Sequence, residues 1–491
     1  MRYLPNGMQM KEADRYTIEK ENVSSSELMR RAAKACVSII LERAYDLTNI
    51  LIVCGRGNNG GDGLVIADIL KKKGCHVTVY QVNESSCDEY PQGEYSIIVD
   101  AVFGVGLNRS VQGIYAETIE RMNASSGVKV AVDIPSGISA NSGSVLGVAF
   151  QADLTVTFQT EKVGMLLYPG RSYAGEVIVA DIGIHTSLFD EDRSVAYGYT
   201  REDYWKLLPN RTADSHKGTY GRLLVIAGSE GMSGAAYLNA ASAYRTGAGL
   251  VQIYTQKENR VVLQTLLPEA IVTTYETYEE EKVKGLLEQA DAICIGSGLG
   301  TGEIAKKILQ TVLREAKVPC VIDADGLNLL SEYREYLAFL REGRFILTPH
   351  MKEMSRLLEI KISKIKEQRL LLLEKFVQAY GCTCILKDSC TIVAGKNERI
   401  YVNRSGNESM AKGGSGDVLA GIIAGLLAQK AAENDAAVLG VYAHGKCGDL
   451  AREELGSYSV LATDLIKKLS SVWKEEEDLR YEKLHKNPCK D

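Results

Sequence analysis

Two α/β domains in series, each a parallel sheet covered on both faces by helices, are what this sequence predicts. Three observations carry the prediction. Strand-length, wholly apolar runs alternate with helical patterns along the chain, as in sheets buried on both sides. The alternation breaks once, in the polar, turn-rich stretch from Thr200 to Gly221. The length of 491 residues exceeds one ordinary core and suffices for two or three.

In chain order, the first half opens with SSSELMRRAAKACVSIILE, Ser24 to Glu42. It reads as an amphipathic helix with a serine cap and with Leu28, Ala32 and Ala35 near one face. NILIVC, HVTVYQV, YSIIVDAV, VKVAVDI, DLTVTF and GEVIVADIGI read as strands, and GLVIADILKKKG, closing on Gly74, as a helix. We place the domain boundary within a few residues of Lys206 to Asn210, which gives domains 1–206 and 207–475. The second half repeats the alternation in RLLVIAG, the alanine-rich helix SGAAYLNAASAYRTGAG, LVQIYT, ADAICIGSGLG, PCVIDADGL, RFILTP and CTCILKD. TIVAGKNERIYVN reads as a hairpin, and long helices follow from Gly416 to Leu427 and from Asp435 to Leu455. The charged stretch after Ser470, with 476–491 as its tail, is expected to be loosely held.

Hydrophobic residues at 45% and charged residues at 24% make the chain an ordinary globular one. A net charge of −6 argues against nucleic acid as partner, because that affinity comes from neutralising phosphates. The compact basic run Lys71 to Lys73 sits at a helix end, where it faces the dipole favourably. Eleven scattered cysteines without a C-x-x-C pair fit a reduced, cytoplasmic chain. The N-terminus lacks an apolar core, so no signal peptide is expected. The longest apolar run, Val418 to Ala428, is too short for a membrane span.

GRGNNGGDG, Gly55 to Gly63, spells G-x-G-x-x-G directly behind an apolar strand. Backbone N–H groups at such a helix start can dock an anion. A hydride-transfer reading also needs an acid after the second strand, and Glu84 offers one. Against that reading, Asn58, Asn59 and Asp62 add oxygens that a pyrophosphate does not want. More oxygens follow other strands: Asp100 before Gly104 and Gly106, and Asp133 before Ser136. Each alone reads as a turn cap. Together, at carboxyl ends of a parallel sheet, they point to one site suited to a hard cation.

The second half has no Walker A loop. In AKGGSGDVLAGIIAGLLAQ, Gly413, Gly414 and Gly416 leave the backbone open to an anion, and Asp417 falls in the first helical turn. That carboxylate either caps the helix or acts as a base beside a phosphoryl group, and the glycines and Ser415 before it favour the base. GSGLG (Gly296 to Gly300) and His350 in LTPHMKEMSRL also follow strands. Lys387 is a candidate phosphate contact, whereas His444 reads as helix packing.

These motifs resemble a known family, the bifunctional NAD(P)H-hydrate repair enzymes, over about residues 1 to 475. EADRYTI, ELMRRAA, GRGNNGGDG, DAVFGVGLNR and VDIPSG resemble its NAD(P)HX epimerase part. HKGTYGRLLVIAGS, DADGLNLL, LTPHMKEMSRL and AKGGSGDVLAGIIAGLLAQ resemble its ADP/ATP-dependent dehydratase part. The resemblance implies a Rossmann-like first domain and a ribokinase-like second. It implies that Asn58, Asn59, Gly60, Gly61 and Asp62 hold the hydrated nucleotide, with Gly104, Val105, Gly106, Leu107, Asn108, Arg109 and Ser110. Asn59, Asp100 and Ser136 would bind potassium, and Asp133 would be the acid/base beside Lys162.

In the second domain Ala235, Gly298, His350 and Asp417 would contact the hydrate. Lys387, Asp388, Ser389, Cys390 and Thr391, with Gly413, Gly414, Ser415 and Gly416, would hold ADP or ATP with magnesium. Here Asp388 stands where relatives usually have glycine. Phosphorylation of the hydrate's hydroxyl before elimination, with Asp417 as base, is the implied chemistry, and NADHX and NADPHX are the implied substrates. A homo-oligomer without membrane attachment is expected. The alternative reading is a ribokinase-like kinase of a vitamin-type hydroxyl, with a nucleotide-binding, non-catalytic first domain.

Overall fold

Six apolar runs of the first half become a parallel sheet in the computed structural model, which describes residues 1–83 and 89–485. Glu84 lies outside the described residues. The strands are β1 (Ile50–Cys54), β2 (Val77–Gln81), β3 (Ile97–Ala101), β4 (Val128–Val132), β5 (Leu154–Phe158) and β6 (Glu176–Ala180). Their order is β2-β1-β3-β4-β5-β6. This is not the 3-2-1-4-5-6 order of the two-halved dinucleotide fold, and its direction reverses between β1 and β3, where a ligand crevice is expected. All five residues of β1 are buried, and each Ile, Leu or Val there contributes roughly 1.5–3 kcal/mol.

Helices α1 (Gly7–Lys20), α2 (Ser25–Glu42) and α3 (Asn58–Lys72) pack in this unit, which is compact over Arg2–Tyr197. Ser24 caps α2 by accepting a hydrogen bond from the Glu27 N–H at 3.2 Å. Leu28 and Ala32 are buried on the inner face of α2.

The second compact unit runs from Gly198. Its strands are β7 (Arg222–Ile226), β8 (Leu250–Gln256), β9 (Ile271–Tyr275), β10 (Ala292–Ile295), β11 (Cys320–Ile322), β12 (Phe345–Leu347), β13 (Thr383–Leu386), β14 (Ile392–Ala394) and β15 (Tyr401–Val402). They lie in the order β15-β14-β13-β12-β11-β10-β7-β8-β9. Pairing is parallel from β13 to β9, and β14 and β15 form the antiparallel hairpin. Here the direction reverses between β10 and β7.

Helix α4 (Ser233–Thr246) crosses α5 (Ser415–Ala428) so closely that a Cβ on Gly421 would lie 2.0 Å from the Ser242 Oγ. That contact explains the glycines inside an otherwise apolar helix. The last helix, Ala462–His485, continues well past Ser470, with Val472, Trp473 and Glu476 buried. The expectation of a loose stretch there is therefore corrected as far as Glu476, where side chains at helical spacing dock the helix; residues 477–484 are exposed or half-exposed.

Candidate active sites

In the first unit, a cavity of about 620 Å³ opens at the carboxyl ends of β1, β3, β4 and β5. Asn58, Asn59, Asp62, Gly104 to Arg109, Asp133 and Lys162 all line it. Gly60 and Gly61 do not line it but make room beside it. A Cβ on Gly60 would stand 1.9 Å from the Gly55 carbonyl oxygen, so that turn requires glycine. Ser110 is exposed and lies outside the lining. Helix α3 starts at Gly57 without a side-chain cap, so its first N–H groups are left for a ligand.

Asp133 follows β4 in the left-handed region, with φ +68°, a conformation Asp tolerates better than most residues. Its Oδ1 accepts from the Lys162 ammonium, from the Phe158 N–H at 3.2 Å and from the Thr157 hydroxyl at 3.3 Å. Lys162 is fully buried and also donates to Thr157 Oγ1 at 2.9 Å and to the Phe158 carbonyl at 3.0 Å. The pair is thus a buried one in which the ammonium has three acceptors and the carboxyl is bonded through Oδ1.

Asp100, fully buried, accepts from Ser136 N–H at 2.7 Å, Ser136 Oγ at 2.6 Å and Val102 N–H at 3.1 Å. Burial raises its carboxyl to about 6 against those hydrogen bonds. Asn59 packs on the loop after β3, and its buried Nδ2 has no partner. Buried carboxylate, hydroxyl and amide groups suit a hard monovalent cation.

The sequence reading missed the helix side of the cavity, where Met10, Lys11, Asp14 and Ile18 of α1 line it. An acid spaced four residues from apolar neighbours on both sides was the available signal. Burial, then the charge of Asp133, raises Asp14 to about 6. Burial, then Asp133 and Asp14, raises Asp62 to about 8.

In the second unit the groups again follow strands. Asp323, buried after β11, accepts from Lys387 Nζ at 2.7 Å and Thr348 Oγ1 at 2.6 Å. Burial opposes the charge on Lys387, but Asp323 and Glu353 outweigh it and raise its pKa. A Cβ on Gly416 would stand 3.2 Å from Lys387 Nζ and 3.8 Å from Asp323 Oδ2, so the glycine loop lies on this ion pair. Gly414 is left-handed at φ +88° and starts α5 with no side-chain cap. Asp417 therefore does not cap the helix. Its main-chain carbonyl accepts from Asn239 Nδ2 at 2.7 Å. Burial, then the charge of Asp323, lifts its carboxyl to about 6, while a hydrogen bond with Ser297 and then the charge of Lys387 pull it down.

Ala235 and Gly298 face each other, a Cβ on Gly298 falling 3.1 Å from that of Ala235. His350 caps the helix Met351–Leu358, its Nδ1 accepting from the Lys352 and Glu353 N–H groups at 3.1 Å. It also bridges Lys387 through the backbone. Burial, then the Lys387 charge, lowers its pKa. Asp388 pairs at 3.3 Å with Arg369, and the buried Cys390 thiol donates to the Asn403 carbonyl at 3.2 Å. Those two side chains are engaged by Arg369 and Asn403, while Ser389 is exposed and the Thr391 hydroxyl donates to the Asp388 carbonyl.

His444 is not merely helix packing: its Nε2 stands 3.2 Å from Ser415 Oγ. Burial lowers its pKa to about 4, which leaves the ring neutral. Among the described residues, no cluster of three or more His, Cys, Asp or Glu side chains is poised to hold a metal ion.

Residues 223–471 match the family described as NAD(P)H-hydrate dehydratase. Residues 25–92 and 81–164 match the YjeF-related protein N-terminus. The chain is 38% identical to the bifunctional NAD(P)H-hydrate repair enzyme Nnr of Coxiella burnetii, over 95% of this chain and 98% of that protein. Against the Escherichia coli enzyme of the same description it is 36% identical, over 91% and 89%. Among solved structures, it is similar to the ADP/ATP-dependent NAD(P)H-hydrate dehydratase of Bacillus subtilis co-crystallised with ATP and Mg²⁺. That match has 32% identity and a TM-score of 0.51, over 57% of this chain and 99% of the other. A ribokinase-like superfamily protein from Enterococcus faecalis gives 31% and 0.52, over 57% and 96%.

Proposed function

The chain belongs to the family of bifunctional NAD(P)H-hydrate repair enzymes, and on that premise we infer how its two units divide the work. The first epimerises R and S hydrates of NADH and NADPH. The second dehydrates the S form to the reduced cofactor at the expense of ADP or ATP. The observation that carries the division is one carboxylate per unit with a lysine close by, Asp133 with Lys162 and Asp417 beside the Lys387–Asp323 pair.

In the first unit Asp133, held by Lys162, moves a proton at the hydroxyl of the hydrated carbon. In the second, Asp417 takes the proton of the substrate hydroxyl as that oxygen attacks the terminal phosphorus of the nucleotide, whose bond to the remaining nucleotide breaks. The carbon–oxygen bond then breaks, phosphate departs with the bonding pair, and a proton lost from the neighbouring ring carbon restores the double bond. Lys387 and the N–H groups of the glycine loop, which lie together, would stabilise the anionic charge that gathers on the phosphoryl group. Asn59, Asp100 and Ser136 would hold potassium, whose charge offsets the buried carboxylate. Magnesium would arrive on the nucleotide phosphates and offset their charge.

Purified protein given mixed hydrates with ADP or ATP should regenerate the absorbance of the reduced cofactor. Accumulation of a stable phosphorylated product instead would favour the kinase alternative. No helix among the described residues is long and apolar enough to cross a membrane. A cytoplasmic location and a homo-oligomeric assembly are part of the proposal, checked by cell fractionation and light scattering.

A further inference from the structure

Adding water to an enamine places the hydroxyl on the carbon bonded to the ring nitrogen. Once that hydroxyl is protonated, the nitrogen lone pair expels it as water and leaves a planar iminium. Water adding to the opposite face, and losing a proton, gives the other epimer. One cycle therefore uses a group that gives a proton on one side and a group that takes one on the other. The reverse reaction exchanges their roles.

Asp133 comes from the strand ends. Another wall of the cavity is formed by α1, which packs across the strand-end loops. The Gly7 N–H donates to Asn141 Oδ1 at 2.9 Å, and Thr17 Oγ1 accepts from the His185 N–H at 2.9 Å. A Cβ on Gly106 would stand 2.8 Å from Lys11 Nζ. Met10, Asp14 and Ile18 fall at four-residue spacing on one face of this helix, and all three line the cavity. Glu12 and Glu19, the other carboxylates of α1, do not. Asp14 is half-buried and has no hydrogen bond or ion pair among the described residues. A carboxyl group so placed gains a partner only from what occupies the cavity.

We propose that Asp14 is the second acid–base residue of the epimerase site, working from the helix side of the bound hydrate while Asp133 works from the strand side. The proposal rests on the epimerase reading of this unit. Three carboxyls share the cavity, and their surroundings separate them. Asp133 is paired with Lys162, and Asp62, raised to about 8, keeps its proton near neutral pH and suits a fixed hydrogen-bond donor. Asp14, raised to about 6, both gives and takes a proton near neutral pH, as a reversible reaction asks.

The test measures R-to-S conversion by the full chain, above the spontaneous rate, with binding of NADP⁺ to the first unit and dehydration of pure S hydrate read alongside. Wild-type protein and Asp133→Asn come first: a wild type that does not epimerise overturns the epimerase reading itself. Given an active wild type, Asp14→Asn should slow conversion about 100-fold, with NADP⁺ binding and S-hydrate turnover preserved. Glu12→Gln, exposed on the same helix, should match wild type. Asp14→Glu, which keeps a carboxyl, should recover a measurable part of the rate, and it carries the test if the Asn variant misfolds. An Asp14→Asn rate within about threefold of wild type overturns the proposal. So does an Asp14→Glu variant that folds and binds NADP⁺ yet is no faster than spontaneous conversion.

Discussion

The two units solve one problem, holding a carboxyl and an ammonium at the carboxyl end of a parallel sheet, in opposite ways. In the first, the lysine takes the carboxyl proposed as acid–base: Lys162 donates to Asp133 and both are buried. In the second, Lys387 takes a neighbour, Asp323, and Asp417 stands beside the pair with its carboxyl raised to about 6. A directly paired acid is fixed in place by its partner. One left beside a pair stays near the threshold of protonation. Both sites place a non-glycine residue in left-handed backbone at the acid, Asp133 itself (φ +68°) and Ala324 next to Asp323 (φ +46°). Such conformations are kept where the surroundings over-determine them.

The strongest way to break the comparison is Asp417→Asn. It should cut nucleotide-driven dehydration by 10²- to 10⁴-fold, roughly the worth of a positioned base, and leave epimerisation intact. An unchanged rate would remove Asp417 from the chemistry. Asp133→Asn should give the mirror result, with the S hydrate repaired at the normal rate and the R hydrate left behind beyond slow spontaneous conversion. Equal loss on both hydrates would end the division of labour.

Acidity sharpens the contrast more gently. As the proposed base, Asp417 would work as a carboxylate, ionised above about 6 and protonated below it, so dehydration of pure S hydrate should fall roughly tenfold per pH unit well below 6. Asp417→Asn should abolish that limb, and a profile of the same shape in the variant would assign the limb to another group. The smallest effect is expected at His444. His444→Ala removes one neutral hydrogen bond to Ser415, worth about 1 kcal/mol. It should raise the nucleotide KM several-fold while changing kcat little, and a kcat loss alone would place His444 elsewhere in the reaction.

Much of the candidate site was legible because it is written locally. An apolar strand followed by an acid or a glycine cluster marks Asp100, Asp133 and the Gly413–Gly416 loop, since strand ends in a parallel sheet converge. What escaped the reading is non-local. Lys387 meets Asp323 across 64 residues, and His444 reaches Ser415 across 29. Asp14 belongs to a helix whose pattern shows only that one acid falls on an otherwise apolar face. Asp388 is a candidate nucleotide contact by position, and its pairing with the buried Arg369 is visible only once the helix carrying Arg369 is folded against the strand.

By itself, then, the sequence determined the alternating α/β plan, the glycine loops and the acids at strand ends, because these follow from periodicity and from the few residues that a tight turn admits. Tertiary structure alone decided which lysine neutralises which acid, and therefore how firmly each carboxyl holds its proton. Electrostatic pairing and burial depend on distance in space, to which neighbours along the chain give no guide.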